Sequence, residues 1–378
     1  ATPSYACSDS RINRLLGAAV NTLHNVCQDL MVDNAIRERG NYAGEIEQLK
    51  KACYYAFGEY SLPRHALIQF AHGQNQEGWF MDHWPSWGRA DDLFGRHMRT
   101  AEWGPILDHA LGFCLSVKDY VLYSGDAGIL DRLYPKLLRW AEWMRTLEDD
   151  SGLLPAVGYA VHRVWIDHCG FRNRRDRKAV LNIWYAEALR DGMAVIADWV
   201  GDSANAVAFR RRADHTEKAV KKAYWHDDLG LFVDNLPHLK EDGEVRLNDR
   251  TLAMALLNGL IEKTQSNAAV QALANIPIPP RSEHHPEWLP TRFAAPDGVA
   301  SEALIGICHP GNAHYRLQAL IRNGYAECAL RDLTGRWARM PSVESNNTLC
   351  EYWDMTPSEE AWCQGIPAPL TVWYSDIV

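Results

Sequence analysis

Two acidic segments lie near opposite ends of a 378-residue chain. The first, residues 31–48, reads MVDNAIRERGNYAGEIEQ and sets Asp33, Arg37, Glu38, Arg39 and Glu45 around a small, turn-prone GNYAG. Charges this dense cannot share a core, because burying one without a partner is very costly. A solvated helix face would not be interrupted by Gly40, Asn41 and Gly44. Two arrangements remain: the floor of a substrate pocket, or a surface ion-pair cluster around a helix N-terminus. In a pocket, Asp33 and Glu45 would accept sugar hydroxyls while Glu38 donates a proton. Arg37 and Arg39 would hold the carboxylates through charge-assisted hydrogen bonds.

The second segment, SNNTLCEYWDMTPSEEAWCQGIPA (345–368), places Glu351 and Asp354 beside Tyr352 and Trp353. Glycoside hydrolysis needs two carboxyl groups across the scissile bond, one protonated and one ionised. One candidate near each end of the chain suits that need if the fold brings the ends together. Fifteen Trp and fifteen Tyr strengthen the sugar reading, because several stand among polar and turn residues. Trp79, Trp84 and Trp87 lie in GWFMDHWPSWGR, Trp165 and Asp167 in VWIDH. A pyranose presents C–H groups to a flat ring and hydroxyls to the acids around it. Trp79, Trp84 and Trp87 suit packing beneath a loop equally well.

Other charged runs carry less. His162, Asp167, His168 and Cys169 lack a recognised metal-ligand spacing, so neither a metal nor another cofactor is expected. The basic run RNRRDRK (172–178) reads as a solvated loop, or as a patch meeting an acidic aglycone such as a uronate. Asn346-Asn347-Thr348 fits the glycosylation pattern, but a glycan so near Glu351 would obstruct a cleft and is read as unused.

The elements that must position these residues are helical. Hydrophobic residues make up 47% and charged ones 23%, enough for a large core. The net charge of −9 argues against a nucleic acid or an anionic membrane as partner. No apolar run approaches the ~18 residues of a membrane span. The N-terminal ATPSYACSDS lacks signal-peptide features, as a trimmed chain also would, so the compartment stays open, as does the oligomeric state. Nine scattered cysteines without CxxC pairs read as mostly reduced, buried thiols. Residues 10–30 place Ile12, Leu15, Leu16, Ala19, Val20, Leu23 and Val26 on one helical face. The segment 125–147 repeats the pattern through Ile129, Leu130, Leu133, Leu137, Trp140 and Met144, with Pro135 marking a kink or a late start.

Further helices are predicted near 43–60, 62–72, 104–123, 180–200, 203–225, 249–262, 267–275, 299–308, 312–323 and 325–338. Strand-like alternation is confined to pieces such as GLFVDN (230–235) and LTVWYS (370–375). The long connections 73–100, 150–178, 276–298 and 340–366 are rich in Trp, His and Pro, where function tends to sit. A single all-α domain follows, with paired helices closing into a toroid or forming an irregular array.

Four stretches together resemble the α-L-rhamnosidases of glycoside hydrolase family 78: YACSDSRINRLL, DNAIRERGNYAGE, GDAGILDRLYPKLLRWAEWM and NTLCEYW…EAWCQGIPA. They occur in that family's order and spacing, over about residues 4–370. The family's first carboxylate segment runs Asp, four residues, Glu, Arg, a Gly-Trp-Thr-Gly turn and Asp. Asp33, Arg37, Glu38 and Arg39 match it, with Tyr42 replacing the Trp and Glu45 the Asp. The later Thr-hydrophobic-Trp-Glu-Arg-Trp is followed by Thr348, Leu349, Glu351 and Trp353, with Cys350 and Tyr352 substituted. Where the family has Ser-His-Ala-Trp, this chain has Glu359, Glu360, Ala361 and Trp362.

The resemblance implies an (α/α)6 barrel over residues 1–378, without the family's accessory β-domains. It implies an inverting exo-glycosidase that removes terminal α-L-rhamnose without a cofactor. Glu38 falls on the general acid and Glu351 on the general base. Asp33, Arg37, Glu45 and Asp167 would fix sugar hydroxyls, while Tyr42, Trp79, Trp84, Trp165, Trp353 and Trp362 line the site. Another (α/α)6 glycosidase on a uronic-acid-containing chain, or a catalytically silent carbohydrate-binding toroid, are the alternatives. A binding toroid has no need of a matched acid and base, which favours the enzyme. If so, both acidic segments must lie at one end of the molecule, and Arg37 or Arg39 should turn towards Asp33 or Glu45.

Overall fold

The structure, a computed structural model, describes residues 6–36, 38–43, 47–85, 105–155, 164–166, 170–171, 173–278, 291–292, 304–353, 363 and 368–377. Among them, twelve main helices alternate between an outer and an inner role. The outer six are α1 (Ser10–Val26), α3 (Ser61–His72), α5 (Leu130–Arg145), α7 (Ser203–Tyr224), α9 (Asn267–Ala274) and α11 (Ala326–Gly335). The inner six are α2 (Glu47–Phe57), α4 (Leu107–Ser124), α6 (Lys178–Glu187), α8 (Asp249–Leu257), α10 (His314–Arg322) and α12 (Ala368–Val372). A π turn over Ala188–Met193 extends α6 into a last helical segment, Ala194–Trp199.

Sequence decides which role each helix takes. In α7 the buried residues are Ala206, Phe209, Ala213, Thr216, Val220 and Tyr224, one stripe at three- and four-residue spacing, as an outer helix requires. In α4 every residue from Leu107 to Val117 is buried, so all its faces have neighbours. Each inner helix packs on the next, and α12 returns to α2, closing the ring.

Links from an inner helix to the next outer one are short. After α4 a single residue, Gly125, takes a left-handed φ of 72° and donates to Val121 O at 2.9 Å, a conformation glycine adopts without strain. Links from outer to inner helices are long: 27–46, 73–106, 146–177, 225–248, 275–313 and 336–367. All six therefore gather where the inner helices begin. Hydrogen bonds tie several neighbouring connections together. Asn41 Nδ2 donates to Trp84 O (2.9 Å), and Asn248 Nδ2 to Gly170 O (3.1 Å). Strand β3 (Arg246–Asn248) runs parallel to β5 (Leu304–Gly306), and β5 also pairs with β4 (Thr291–Arg292). Trp353 Nε1 donates to Cys308 O (2.7 Å), and Ala35 N to Cys363 O (3.2 Å), which ties the last connection back to the first. Gly306 has no alternative residue, because a Cβ there would sit 1.7 Å from Gly170 O.

Two expectations of secondary structure are corrected. The pattern of 299–308 predicts a helix, but Leu304–Gly306 is strand β5: its backbone is drawn into the parallel pairing with β3. LTVWYS, strand-like in pattern, lies in α12 and the π turn Trp373–Ile377. Ala368 to Val372 are all buried, so no polar face reveals the helical period. GLFVDN contributes only Leu231–Phe232, the strand β2, paired with β1 (Trp225–His226). Pro135 lies within α5, which runs through it. The eight described cysteines are free thiols, as the scattered spacing predicts, and Cys169 lies outside the described residues.

Candidate active site

The first long connection is built around Asp33. Its N–H donates to Gly40 O at 2.9 Å, and its Oδ1 accepts from Gly40 N at 2.7 Å. That double contact closes a loop carrying Glu38. Inside the loop, Asn34 Oδ1 accepts from Ile36 N at 2.7 Å, an Asx turn. Asp33 is buried, 1% exposed, while Glu38 is half-buried. Burial first, and then the neighbouring Glu38 charge and a hydrogen bond to it, raise the Asp33 carboxyl well above the usual carboxylate range. The Asp33 carboxyl therefore keeps its proton at pH values where an isolated one is ionised. Arg39, at a left-handed φ of 54°, donates to Gln28 Oε1 at 2.5 Å. The expectation that Arg37 or Arg39 turns towards Asp33 or Glu45 involves residues beyond those described. Arg37 and Glu45 lie outside the described residues.

The turn after Glu38 is held from the second connection. Asn41 Nδ2 donates to Ala66 O (3.1 Å) as well as to Trp84 O. The Tyr42 ring leaves no room for a Cβ on Gly40, which would approach its Cε2 to 2.5 Å. Tyr42 also bridges His83 in an antiparallel pair. Its ring packs on His83 at 4.9 Å and edge-on to His109 at 5.6 Å. Burial holds His109 below its ordinary value, so it is a neutral imidazole.

Asp108, in the first turn of α4, fixes the third connection. Its Oδ1 accepts from Trp165 N (2.9 Å) and its Oδ2 from Ile166 N (2.8 Å). Ile166 is left-handed, φ 49°, a strained state for a β-branched residue. Its carbonyl accepts from Arg250 Nη1 (2.7 Å) and Asn312 Nδ2 (2.9 Å). Trp165 is thereby set between His109 (5.7 Å) and His309 (4.9 Å). Burial, with the Arg250 charge, pushes His309 down to about 3, and its Nδ1 accepts from Gly311 N at 2.9 Å.

The sixth connection brings Glu351. Leu349 N donates to Thr22 Oγ1 of α1 at 2.8 Å, and Glu351 is 2% exposed. The Trp353 ring stands edge-on to Trp337 at 5.0 Å, with the Arg336 guanidinium 5.3 Å from its centroid. Arg336 is fixed by Asp332 (2.9 Å) and Pro277 O (2.8 Å). Asp332 also binds Arg316 (2.6 Å), which pairs with Asp249, and Asp249 accepts from Cys308 N (2.9 Å). Trp353 is a rigid wall.

The predicted residues thus divide. Asp33, Glu38 and Tyr42 form one group, continued through His109, Trp165, His309 and Cys308 to Trp353, on the connection that carries Glu351. Trp79 is buried with Met81, Trp84 and Trp143, its indole N–H donating to Glu77 Oε2 at 3.1 Å; Trp84 is half-buried. Asp167, Trp87, Asp354 and Trp362 lie outside the described residues. In the basic run, Arg175, Asp176 and Arg177 are engaged by neighbours. Arg175 binds Asp242 and Glu241 (3.3 Å), and the buried Arg177 donates to Val164 O at 3.2 Å. Asp176 is buried and meets Arg246 at 3.1 Å. Among the described residues no group of His, Cys, Asp or Glu could hold a metal ion, and no helix is long and apolar enough to cross a membrane.

Asp108, His109, Arg250, His309 and Asn312 escape sequence reasoning. The one available signal is Asp108-His109 placed just before the apolar run 110–115, since polar residues beside such a run must have a reason to be buried.

A closed ring of six helical hairpins, with carboxyls gathered where the inner helices begin, defines the six-hairpin glycosidase class. The chain belongs to the family of bacterial α-L-rhamnosidase 6 hairpin glycosidase domains, which it matches over residues 1–279. It is similar to a rhamnosidase from Klebsiella oxytoca with rhamnose bound, at 18% identity and a TM-score of 0.75, covering 99% of this chain and 65% of that one. A family 78 rhamnosidase of Bacillus sp. GL1 has 19% identity and a TM-score of 0.74, covering 99% of this chain and 36% of that one. A family 63 mannosylglycerate hydrolase from Thermus thermophilus shares the fold at 12% identity and a TM-score of 0.59, covering 96% of this chain and all of that one. The chain spans less than two thirds of the rhamnosidase structures it matches. No curated protein matches it.

Proposed function

We propose that this chain hydrolyses terminal, non-reducing α-L-rhamnose from glycosides, inverting the anomeric centre and using no cofactor. The observation that carries the reading is the buried Asp33 carboxyl beside Glu38, held on the same set of connections as the buried Glu351. Glu38, the more accessible of the two, protonates the leaving oxygen. Asp33 accepts from a sugar hydroxyl when ionised. Glu351 takes the proton of a water that attacks the anomeric carbon from the opposite face. Tyr42, Trp165 and Trp353 offer ring faces and edges to the sugar, and neutral His109 adds no charge beside them. Arg175 and Arg177 are engaged by Asp242 and Val164 O and are not offered to an acidic aglycone.

The test is the anomer first released from an aryl α-L-rhamnoside, followed by NMR before mutarotation. β-Rhamnose is expected. Initial α-rhamnose means retention and overturns both roles. Glu38→Gln should slow poor leaving groups far more than activated aryl ones, since only the former need the proton. Glu351→Gln should slow all substrates alike, because the water loses its base.

A further inference from the structure

The loop that carries Asp33 and Glu38 leaves α1 at Cys27 and enters α2 at Glu47. Cys27 is half-exposed and terminates α1, its N–H donating to Leu23 O at 2.9 Å. It also forms an antiparallel bridge with Met31, two residues before Asp33. Cys53 is buried in α2. The two sulfurs lie 3.6 Å apart, in contact, although the residues stand 26 apart in sequence. Nothing in the proposed hydrolysis uses either thiol. Lys50, on the same face of α2 one turn before Cys53, is buried beside both sulfurs. We propose that Cys27 and Cys53 are a disulfide-forming pair that staples the base of the acid-bearing loop.

The chemistry balances with a small disulfide, such as oxidised glutathione, as oxidant. Cys27, the accessible member, loses its proton to solvent and attacks one sulfur of that disulfide. The small S–S bond breaks, one glutathione thiolate leaves, and a mixed disulfide remains on Cys27. Cys53 then loses its proton to solvent by way of the neighbouring Lys50 amine. Its thiolate attacks Cys27 Sγ and expels the second glutathione. The protein loses two hydrogens and two electrons, and the oxidant becomes two thiols. Cys27 starts the exchange because it is half-exposed and Cys53 resolves it because it is buried; the Cys27 contact and burial also hold the Cys53 thiol well above its ordinary value. The bond would close a loop of about 26 residues around Asp33 and Glu38, constraining the unfolded chain.

The experiment treats the native protein with oxidised glutathione, quenches it by alkylation in denaturant, and maps tryptic peptides by mass spectrometry. The expected result is one cross-linked pair joining the Cys27 and Cys53 peptides, about 2 Da below the sum of the reduced peptides because two hydrogens are lost, with the other cysteines alkylated. The oxidised form should melt roughly 5 °C higher and return to the starting value with reductant. Cys27→Ser, at the more exposed site, should abolish both changes. Both residues alkylated as free thiols, or a persistent glutathione adduct on Cys27 with no internal bond, overturns the proposal. Neither readout depends on hydrolysis, so a failure of the rhamnosidase reading and a failure of the disulfide are told apart.

Discussion

Asp108→Asn tests whether the site depends on the clamp at the start of α4. Both Asp108 oxygens accept backbone N–H groups, from Trp165 at 2.9 Å and Ile166 at 2.8 Å. Asn keeps one acceptor and turns an amide NH2 towards the other N–H. One hydrogen bond to a charged acceptor is lost, worth about 1.5–3 kcal/mol. The left-handed Ile166 adds roughly 1–2 kcal/mol of strain that the clamp otherwise offsets. The remaining holds, Arg250 and Asn312 on the Ile166 carbonyl, recover part of this. A net loss of about 2–3 kcal/mol corresponds to roughly a 30- to 150-fold fall in the population with Trp165 in place. On an aryl α-L-rhamnoside, kcat/KM should fall by that order. The melting temperature should drop only a few degrees, because the change is confined to the rim of a large core. A kcat/KM within about twofold of the parent would refute the argument. So would an activity loss that merely follows the unfolded fraction.

Glu187 is raised to about 7, chiefly by burial, from an ordinary 4.5. The folded state therefore holds a proton that the unfolded state has lost between about pH 4.5 and 7, and stability falls through that window. Glu187→Gln should be more stable than the parent at pH 8, by up to about 3 kcal/mol, and equal to it near pH 4, as read by urea unfolding. Arg316→Met leaves Asp249 and Asp332 buried without their shared cation and should cost about 3–5 kcal/mol in the same assay.

The outer helices are the legible part of the fold. Each faces water on one side, and the Ile12-to-Val26 face of α1 shows the helical period plainly. The inner helices are covered all round and lose that signature, which is why LTVWYS reads as a strand. The stretch 299–308 misleads for a different reason. Leu304–Gly306 is extended by pairing with Arg246–Asn248, a partner that no local pattern announces. In the site, Asp33, Glu38 and Glu351 stand out because charge inside turn-rich or aromatic surroundings demands an explanation. The clamp does not stand out, since Asp108, Ile166, Arg250 and Asn312 come from separate hairpins and meet through backbone atoms that have no sequence identity. RNRRDRK misleads because its partners, Asp242 and Arg246, lie on the next connection.

The circuit of connections has a consequence for how the molecule comes into being. Ala35 meets Cys363, and Thr22 meets Leu349, so the first hairpin's loop is completed by the last. A chain emerging from the ribosome can fold its early hairpins, yet the proposed acid and base have no common chamber until the sixth one docks between α10 and α2. Catalytic competence is then a property of ring closure and not of any single hairpin. The growing chain has no working site until its last hairpin is in place, and a fragment lacking that hairpin should stay inert however well its helices form.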